Sequence, residues 1–313
     1  MTMRKRQIII DCDPGLDDAV ALLVALAATD RMDVVGITTV AGNVPGDLTL
    51  RNARIIRELA GRGKDLPVHG GAPVPLLRDP VTAEDFHGST GLGNIDFPKP
   101  VVRASRAHAV NFLIRTLRTA KGIPMTLVVT GPMTNVALAL AMAPDIRRGI
   151  SEIVVMGGAD SEGGNITPHA EFNVFADPHA AQAVFQAGIP MRVLNLDVTH
   201  QIRTTDEQVE RVRALGNPQA IAAADLLAAS NLLEEKAKAR HAPLHDPSTI
   251  LAILRPDLFE GRKASVVVET EAGERFGKTV PTYHEVGHVL WYDQADAEAV
   301  FSEMLGQLAR YGE

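Results

Sequence analysis

Apolar and polar positions along the chain form repeated blocks, in which a short β-branched run leads through a polar turn into an amphipathic stretch. Such blocks are typical of strand–helix units in a parallel sheet. Residues 266–268 and 287–292 instead predict antiparallel strands before a closing helix. We therefore expect an α/β fold, a mostly parallel Rossmann-like open sheet with helices on both faces and a small antiparallel addition near the C-terminus. The strands predicted for the parallel part lie near residues 8–13, 34–40, 125–129, 153–156 and 191–196.

The first block, residues 8–26, carries an unusual density of acids. Three consecutive isoleucines predict a strand buried on both faces, and period-two alternation places Asp11 and Asp13 on the same side of it. A Pro-Gly pair ends the strand, after which Asp17 and Asp18 occupy the first turn of an apolar helix. All four carboxylates are thus predicted to meet at the carboxyl end of this strand.

Carboxylates this close repel one another, and burial strengthens the repulsion unless a proton or a cation lies among them. A cluster of oxygen ligands without His or Cys favours Ca²⁺ or Mg²⁺ over Zn²⁺. The alternative is that Asp17 and Asp18 only complement the dipole of the helix that they begin. This alternative does not account for Asp11 and Asp13.

The composition limits the classes of function. The 313 residues carry a formal net charge of −7, which does not resemble the basic surface of a nucleic-acid-binding protein. The chain has no apolar run long enough to span a membrane and no signal-peptide core, and its one cysteine, Cys12, allows no intramolecular disulfide. We expect a cytoplasmic protein with small-molecule ligands and no membrane or nucleic-acid partner, built as one domain over residues 1–313.

Polar residues follow the predicted strands, and in an open parallel sheet ligands bind beyond the carboxyl ends of the strands. The Gly/Pro-rich segment 70–104 has no predicted element, and a loop of that length is usually functional. Its glycines do not form a dinucleotide fingerprint, because they neither follow a clear strand nor open a helix. The residues predicted to form the rim of a binding site are Asn43, Thr130, Asn135, Asn165, Asp197 and His200.

Seven motifs occur in a fixed order: DCDPGLDDA, TTVAGN, HGSTGLGN, VVTGPMTN, VVMGG, AEFNVFADP and LHDP. Together they resemble the inosine-uridine preferring nucleoside hydrolases over roughly residues 8–247. The resemblance implies a mostly parallel α/β sheet, bound Ca²⁺, a homodimer or homotetramer, and hydrolysis of the N-glycosidic bond of ribonucleosides to ribose and free base. It also implies a part in purine and pyrimidine salvage.

By the same resemblance, the ion would be held by Asp13, Asp18, the backbone carbonyl of Thr130 and Asp246. This agrees with the hard cation expected from the charges. Asp13 would also be the catalytic base that takes a proton from a metal-bound water. His245, beside Asp246 in the chain, would protonate the departing base, since an imidazole can titrate near neutrality.

The remaining implied roles concern the substrate. Asp17, Asn43 and Asn173 would bind the ribose hydroxyls, and carboxylates near the ribose would stabilise the positive charge that develops on it. The other substrate-binding residues would be Asn165 and Glu171 at the 5′-hydroxyl, Met156 against the sugar and His87 at the base.

One departure from the family concerns the nucleobase. Some members place tyrosines over the base from the helical stretch before the HDP motif, whereas residues 231–244 contain no aromatic side chain. The nucleobase preference is therefore left open by the sequence.

Two other functions fit part of the pattern. An Asp-x-Asp after a strand also begins haloacid-dehalogenase-like phosphohydrolases, with Asp11 as the nucleophile, although Asp17 and Asp18 follow too soon for that family. A nonenzymatic ribose- or nucleoside-binding protein could use the same pocket. Binding alone, however, needs neither a base such as Asp13 nor an acid such as His245.

Overall fold

The computed structural model describes residues 5–93, 95–120, 122–236 and 241–313. Within these ranges the strands form one nine-stranded sheet in the order β3-β2-β1-β4-β5-β6-β9-β7-β8. The strands are β1 (Arg6–Cys12), β2 (Met32–Thr39), β3 (Val68–Gly70), β4 (Met125–Val129), β5 (Ile150–Met156), β6 (Met191–Leu194), β7 (Phe259–Val268), β8 (Thr279–Tyr283) and β9 (Val289–Ala295).

The helices alternate with the strands through most of the chain. They are α1 (Leu16–Ala27), α2 (Gly46–Leu59), α3 (Glu84–His87), α4 (Ala109–Thr119), α5 (Thr134–Met142), α6 (Phe172–Ala176), α7 (Pro178–Phe185), α8 (Leu196–Thr199), α9 (Asp206–Arg213), α10 (Pro218–Lys236), α11 (Pro247–Leu254) and α12 (Ala297–Ala309), with short 3₁₀ turns at Pro144–Gly149, Pro256–Leu258 and Arg310–Gly312. No helix in the described ranges is long and apolar enough to cross a membrane.

The predicted fold class is confirmed. Strands β1 to β6 pair in parallel, and β7 and β8 form the antiparallel addition. Strand β9 had been assigned to that addition, but it is parallel to β6 on one side and antiparallel to β7 on the other. The parallel part of the sheet therefore has seven strands, two more than the five predicted, because β3 was not predicted and β9 joins this part.

Helices cover both faces of the sheet, and β1 shows how its sequence divides between them. Ile8, Ile10 and Cys12 pack into the core cluster that contains α1, α10, α11 and α12. Ile9 packs into the opposite cluster with α4, α5 and α7. Because alternate side chains of a strand point to opposite faces, the isoleucine run fills both cores at once.

The predicted loop 70–104 has one short helix, α3, in its described part, and it is held at several points. The backbone N–H of Ala72 donates to Asn135 Oδ1 at 2.9 Å, that of Leu76 to Asp177 Oδ2 at 2.9 Å, and that of Ala83 to the Asn43 carbonyl at 3.0 Å. These bonds tie the segment to the carboxyl edge of the sheet.

Candidate active site

The turn between β1 and α1 places the acids. Gly15 precedes the helix, and its N–H donates to Asp18 Oδ2 at 3.0 Å. A side chain at Gly15 would collide with His87, because a Cβ there would lie 2.5 Å from the Nδ1 atom of that ring. The absence of a side chain thus lets the loop histidine approach the start of α1, where its Nδ1 accepts from the Leu16 N–H at 3.2 Å.

Asp18 links three strand ends. Its Oδ1 accepts from Thr130 Oγ1 at 2.7 Å, after β4, and its Oδ2 accepts from Asn43 Nδ2 at 3.0 Å, after β2. The side chain is fully buried, and desolvation raises the pKa of Asp18 to about 6, with the charge of Asp17 adding to the rise. The carboxylate therefore lies where negative charge is costly.

Asp13 is fully buried beside it. Asp13 Oδ2 accepts from the Asn43 N–H at 2.7 Å, whereas Oδ1 has no hydrogen-bond partner among the described residues. Burial, and after it the charge of Asp18, raises the pKa of Asp13 well above its ordinary value. Gly42 and Gly131 flank the carboxylate, and a Cβ at either position would collide with it.

Asp17, Asp18 and Asp246 form a compact group of carboxylates. One oxygen from each lies within 4.8 Å of the others, which is close enough for one cation to touch all three. Asp246 is 2% exposed, directly before α11, and its pKa is raised by burial and then by Asp17 and Asp18. Asp17 Oδ1 lacks a partner in the described part of the chain. These orphaned oxygens in a buried acidic site fit a hard cation.

The group differs from the implied ligand set in one respect. Asp18 and Asp246 are in both, but the group contains Asp17 and not Asp13. The Thr130 carbonyl, another implied ligand, accepts from Asn173 Nδ2 at 2.8 Å. Thr130 and Asp13 nevertheless belong to the same buried network through Asp18 and Asn43.

The residues predicted to bind the sugar lie around helix α6. Glu171 caps this helix, since its carboxylate accepts from the N–H groups of Asn173 at 2.8 Å and Val174 at 3.1 Å, and it also accepts from the Gly158 N–H at 2.9 Å. Burial raises the pKa of Glu171 to about 7. Asn173 Nδ2 also lies 3.2 Å from the Met156 carbonyl. Asn165 is exposed, and its Oδ1 accepts from the Phe172 N–H at 2.8 Å at the start of the same helix.

The two predicted base-contacting histidines come from distant segments. His87 is 6% exposed, and burial lowers its pKa to about 4. His245 lies before Asp246, with its Nδ1 2.8 Å from Thr199 Oγ1, and enclosure lowers its pKa to about 3. Burial thus favours the neutral form of the His245 ring, and its role at the departing base stays a prediction.

Similar proteins show the family to which the chain belongs. The model of the inosine-uridine preferring nucleoside hydrolase family matches residues 8–302. The chain belongs to this family. It is 46% identical over 277 residues to a pyrimidine-specific ribonucleoside hydrolase, RihA, of Shewanella woodyi, covering 88% of each chain. It is 42% identical over 309 residues to an uncharacterized protein of Schizosaccharomyces pombe, covering 97% of this chain and 99% of that one.

Solved structures give the same result for this nucleoside hydrolase. A purine-preferring ribonucleoside hydrolase from Gardnerella vaginalis superposes with a TM-score of 0.91 at 28% identity, covering 98% of this chain and 99% of that one. A plant nucleoside hydrolase also has a TM-score of 0.91, at 29% identity, with the same coverage of both chains. The family inferred from the seven motifs is confirmed, and the protein is an enzyme, a glycosidase that acts on N-glycosyl compounds.

Family membership sets the other interpretations aside. The phosphohydrolase alternative needs Asp11 as an open nucleophile. Asp11 is instead 1% exposed, and its Oδ1 accepts from Thr38 Oγ1 at 2.5 Å and from Asn135 Nδ2 at 2.8 Å. The binding-protein alternative does not fit a family of hydrolases.

Two residues of the nucleoside hydrolase have contacts that the sequence did not specify. Asn135 was predicted only to lie on the rim, yet it is fully buried. Its Nδ2 donates both to Asp11 Oδ1 and, at 2.9 Å, to the Thr39 carbonyl. Thr199 was not predicted at all, although it lies between Asp197 and His200, two residues that were predicted to lie on the rim. It touches His245 because α8 and the segment before α11 pack together.

Proposed function

We propose that this nucleoside hydrolase is a Ca²⁺-dependent ribonucleoside hydrolase that releases ribose and a free nucleobase. The observation that carries the proposal is the group of Asp17, Asp18 and Asp246, with one oxygen of each within 4.8 Å of the others. Like charges gathered this closely in a buried site need a cation to balance them. The similar proteins include pyrimidine-specific and purine-preferring ribonucleoside hydrolases, which supports a ribonucleoside as substrate.

Asp13, Asp18, Asp246 and the carbonyl of Thr130 are the proposed ligands of the ion. They offer only oxygen atoms, which is the donor set that Ca²⁺ prefers. When bound, the ion neutralises part of the carboxylate charge and lowers the pKa of the attacking water.

Asp13 is the proposed catalytic base. Its Oδ2 is held by the Asn43 N–H at 2.7 Å, which fixes the carboxylate plane, and its Oδ1 has no partner among the described residues. Oδ1 is therefore the atom free to take a proton from water, and the proton transfer requires direct contact with that water.

The proposed sugar site lies between Asp17 and helix α6. Asp17, Asn43 and Asn173 bind the ribose hydroxyls, and fixed negative charge favours the oxocarbenium-like transition state over the neutral substrate. The residues proposed to complete this site are Asn165 and Glu171 at the 5′-hydroxyl and Met156 against the sugar ring.

At the other end of the substrate, His87 contacts the nucleobase and His245 is the proposed group that assists its departure. A departing base carries developing negative charge, so a hydrogen-bond donor at this position stabilises the transition state. The His245 imidazole can donate this hydrogen bond through Nε2, the ring nitrogen that does not contact Thr199.

A kinetic panel tests the function. The purified protein is incubated with inosine, uridine, cytidine and adenosine, and with one 2′-deoxynucleoside, and reducing sugar is measured before and after EDTA and after Ca²⁺ or Mg²⁺ is restored. We expect release of ribose that EDTA abolishes and Ca²⁺ restores. Absence of ribose from every nucleoside, or full activity in EDTA, would contradict the proposal.

The same preparation tests two further parts of the proposal, the domain and the assembly. We propose one nucleoside hydrolase domain over the whole chain, a homodimer or homotetramer, and a cytoplasmic location. Light scattering after size-exclusion chromatography gives the oligomeric state, and one cooperative calorimetric transition is expected for one domain. A monomeric mass would contradict the proposed assembly.

A further inference from the structure

The imidazole of His245 is held by a hydroxyl group. Thr199 ends helix α8, just beyond β6, and its Oγ1 lies 2.8 Å from His245 Nδ1. Thr199 is 0% exposed. Buried hydroxyl groups are nearly always hydrogen-bonded, so the direction of this bond can be derived by finding an acceptor for the hydroxyl hydrogen.

Among the residues that the structure describes, His245 Nδ1 is the one group that forms a hydrogen bond with Thr199 Oγ1. If Nδ1 carried the proton and donated it, the hydroxyl hydrogen would be left without an acceptor in a buried place, at a cost. The hydroxyl therefore donates to Nδ1. A neutral imidazole has one N–H, so its proton is then on Nε2.

His87 shows the same arrangement without any ambiguity of direction. Its Nδ1 lies 3.2 Å from the backbone N of Leu16, and a backbone N–H can only donate. Nδ1 of His87 is thus an acceptor, and its neutral ring also carries the proton on Nε2. The nearby His200 does not compete for either contact, because its Nδ1 pairs with Glu162 Oε1 at 2.8 Å.

We propose that Thr199 is a positioning residue, which fixes His245 as the Nε2–H tautomer so that this ring, like His87, presents a hydrogen-bond donor to the departing base. The proposal rests on the proposed function, since it needs a nucleobase at this end of the site. It also defines what the site recognises: leaving groups with acceptor atoms, such as the carbonyl oxygens or ring nitrogens of nucleobases.

A pair of substrates separates this role from a merely structural one. Uridine releases a base that needs a donor, whereas 4-nitrophenyl riboside releases a phenolate that is stable without one. We expect Thr199→Val, which keeps the shape and loses the hydroxyl, to lower kcat for uridine about 10- to 100-fold. On the aryl riboside the change is expected to stay within about threefold, because the departing group is already activated.

Two variants serve as controls. Thr199→Ser keeps the hydroxyl and is expected to retain the activity of the parent protein on both substrates. Thr49→Val removes another buried hydroxyl, which donates to the Gly46 carbonyl at 3.1 Å in α2, and is expected not to distinguish the substrates. Equal losses on both substrates in Thr199→Val would overturn the proposal.

The tautomer is also measurable without any variant at the threonine. ¹⁵N NMR of the histidine-labelled full chain distinguishes Nε2–H from Nδ1–H rings, and a His245→Asn sample assigns the signal. Nε2–H at His245 is expected, and Nδ1–H would refute the inference. If the parent protein cleaves no ribonucleoside, the proposed function fails in the kinetic panel while the spectrum still tests the hydrogen bond.

Discussion

The charge of Asp18 is proposed to bind the ion but lowers the stability of the folded protein, and the substitution Asp18→Asn separates these two effects. The fully buried carboxylate has its pKa raised from 3.8 to about 6, chiefly by desolvation. At pH 7 the folded protein must keep this group ionised, which costs about 3 kcal/mol relative to the unfolded chain, since each unit of pKa is about 1.4 kcal/mol. Asp18→Asn removes that charge with almost no change of shape.

Asp18→Asn also weakens hydrogen bonding, which offsets part of the gain in stability. Asp18 accepts from Gly15 N–H, Asn43 Nδ2 and Thr130 Oγ1, and an amide can retain the first two bonds through its oxygen. Disturbing the third costs about 1 kcal/mol. In EDTA at pH 7 we expect Asp18→Asn to be more stable by about 2 kcal/mol, a rise in Tm of roughly 4 °C for a chain of this size.

The pH dependence has a definite sign. Because the folded pKa of Asp18 is raised, the folded state binds more protons than the unfolded chain between pH 4 and pH 6, so the penalty grows as the pH rises through that window. The penalty should be about halved at pH 5, so after the opposing hydrogen-bond cost the advantage of Asp18→Asn should fall to roughly a quarter at pH 5 and be lost between pH 5 and pH 4. Differential scanning calorimetry in EDTA and in Ca²⁺ measures both effects.

Calcium should reverse the order of stability, because the ion stabilises only the form that binds it. We expect Ca²⁺ to raise the Tm of the parent protein and not that of Asp18→Asn, which should also be inactive. Asp177→Asn is the matched control: its buried carboxylate accepts from Leu76 N–H and Thr134 Oγ1 away from the cluster, and its loss should lower Tm equally with and without Ca²⁺. A lower Tm for Asp18→Asn in EDTA at pH 7 would refute the reasoning.

Three further predictions concern the surroundings of the cluster. Gly42→Ala should lower kcat by more than about 100-fold, since its Cβ would displace the carboxylate of Asp13. The control is Gly306→Ala, which has open space around its Cβ and should raise the free energy of unfolding by about 0.5–1 kcal/mol without changing kcat. A fully active Gly42→Ala would contradict this geometry. Asn135→Ala should weaken Ca²⁺ binding by isothermal calorimetry, because the strand ends at Asp11 and Thr39 lose a shared donor; unchanged affinity would argue against such coupling. Asp17→Asn should narrow the difference in kcat/KM between uridine and 2′-deoxyuridine, and an unchanged ratio would show that Asp17 does not contact the 2′-hydroxyl.

Local pattern was enough to predict the fold class. Strand β4 was placed at its observed bounds, and α1 begins with the two acids in its first turn as expected. Strand β9 was predicted less well, because a strand's sequence does not state which neighbour it joins. Pairing direction depends on the path of the chain between strands, and that path is a property of the whole sheet.

The arrangement of the acids also depends partly on local sequence and partly on the tertiary structure. The sequence by itself placed Asp11 and Asp13 on one side of β1 and Asp17 and Asp18 in the first turn of α1, because period two in a strand and the first turn of a helix are local geometry. Only the tertiary structure decided that Asp11 turns towards Thr38 and Asn135, or that Asp246 completes the group with Asp17 and Asp18.

The contact between Thr199 and His245 was likewise decided by the tertiary structure, since it joins side chains 46 positions apart. Contacts of this kind depend on how separate elements pack and on which buried donors and acceptors must find partners. No periodicity of residues along the chain encodes that requirement, because it is met only once the elements are packed together.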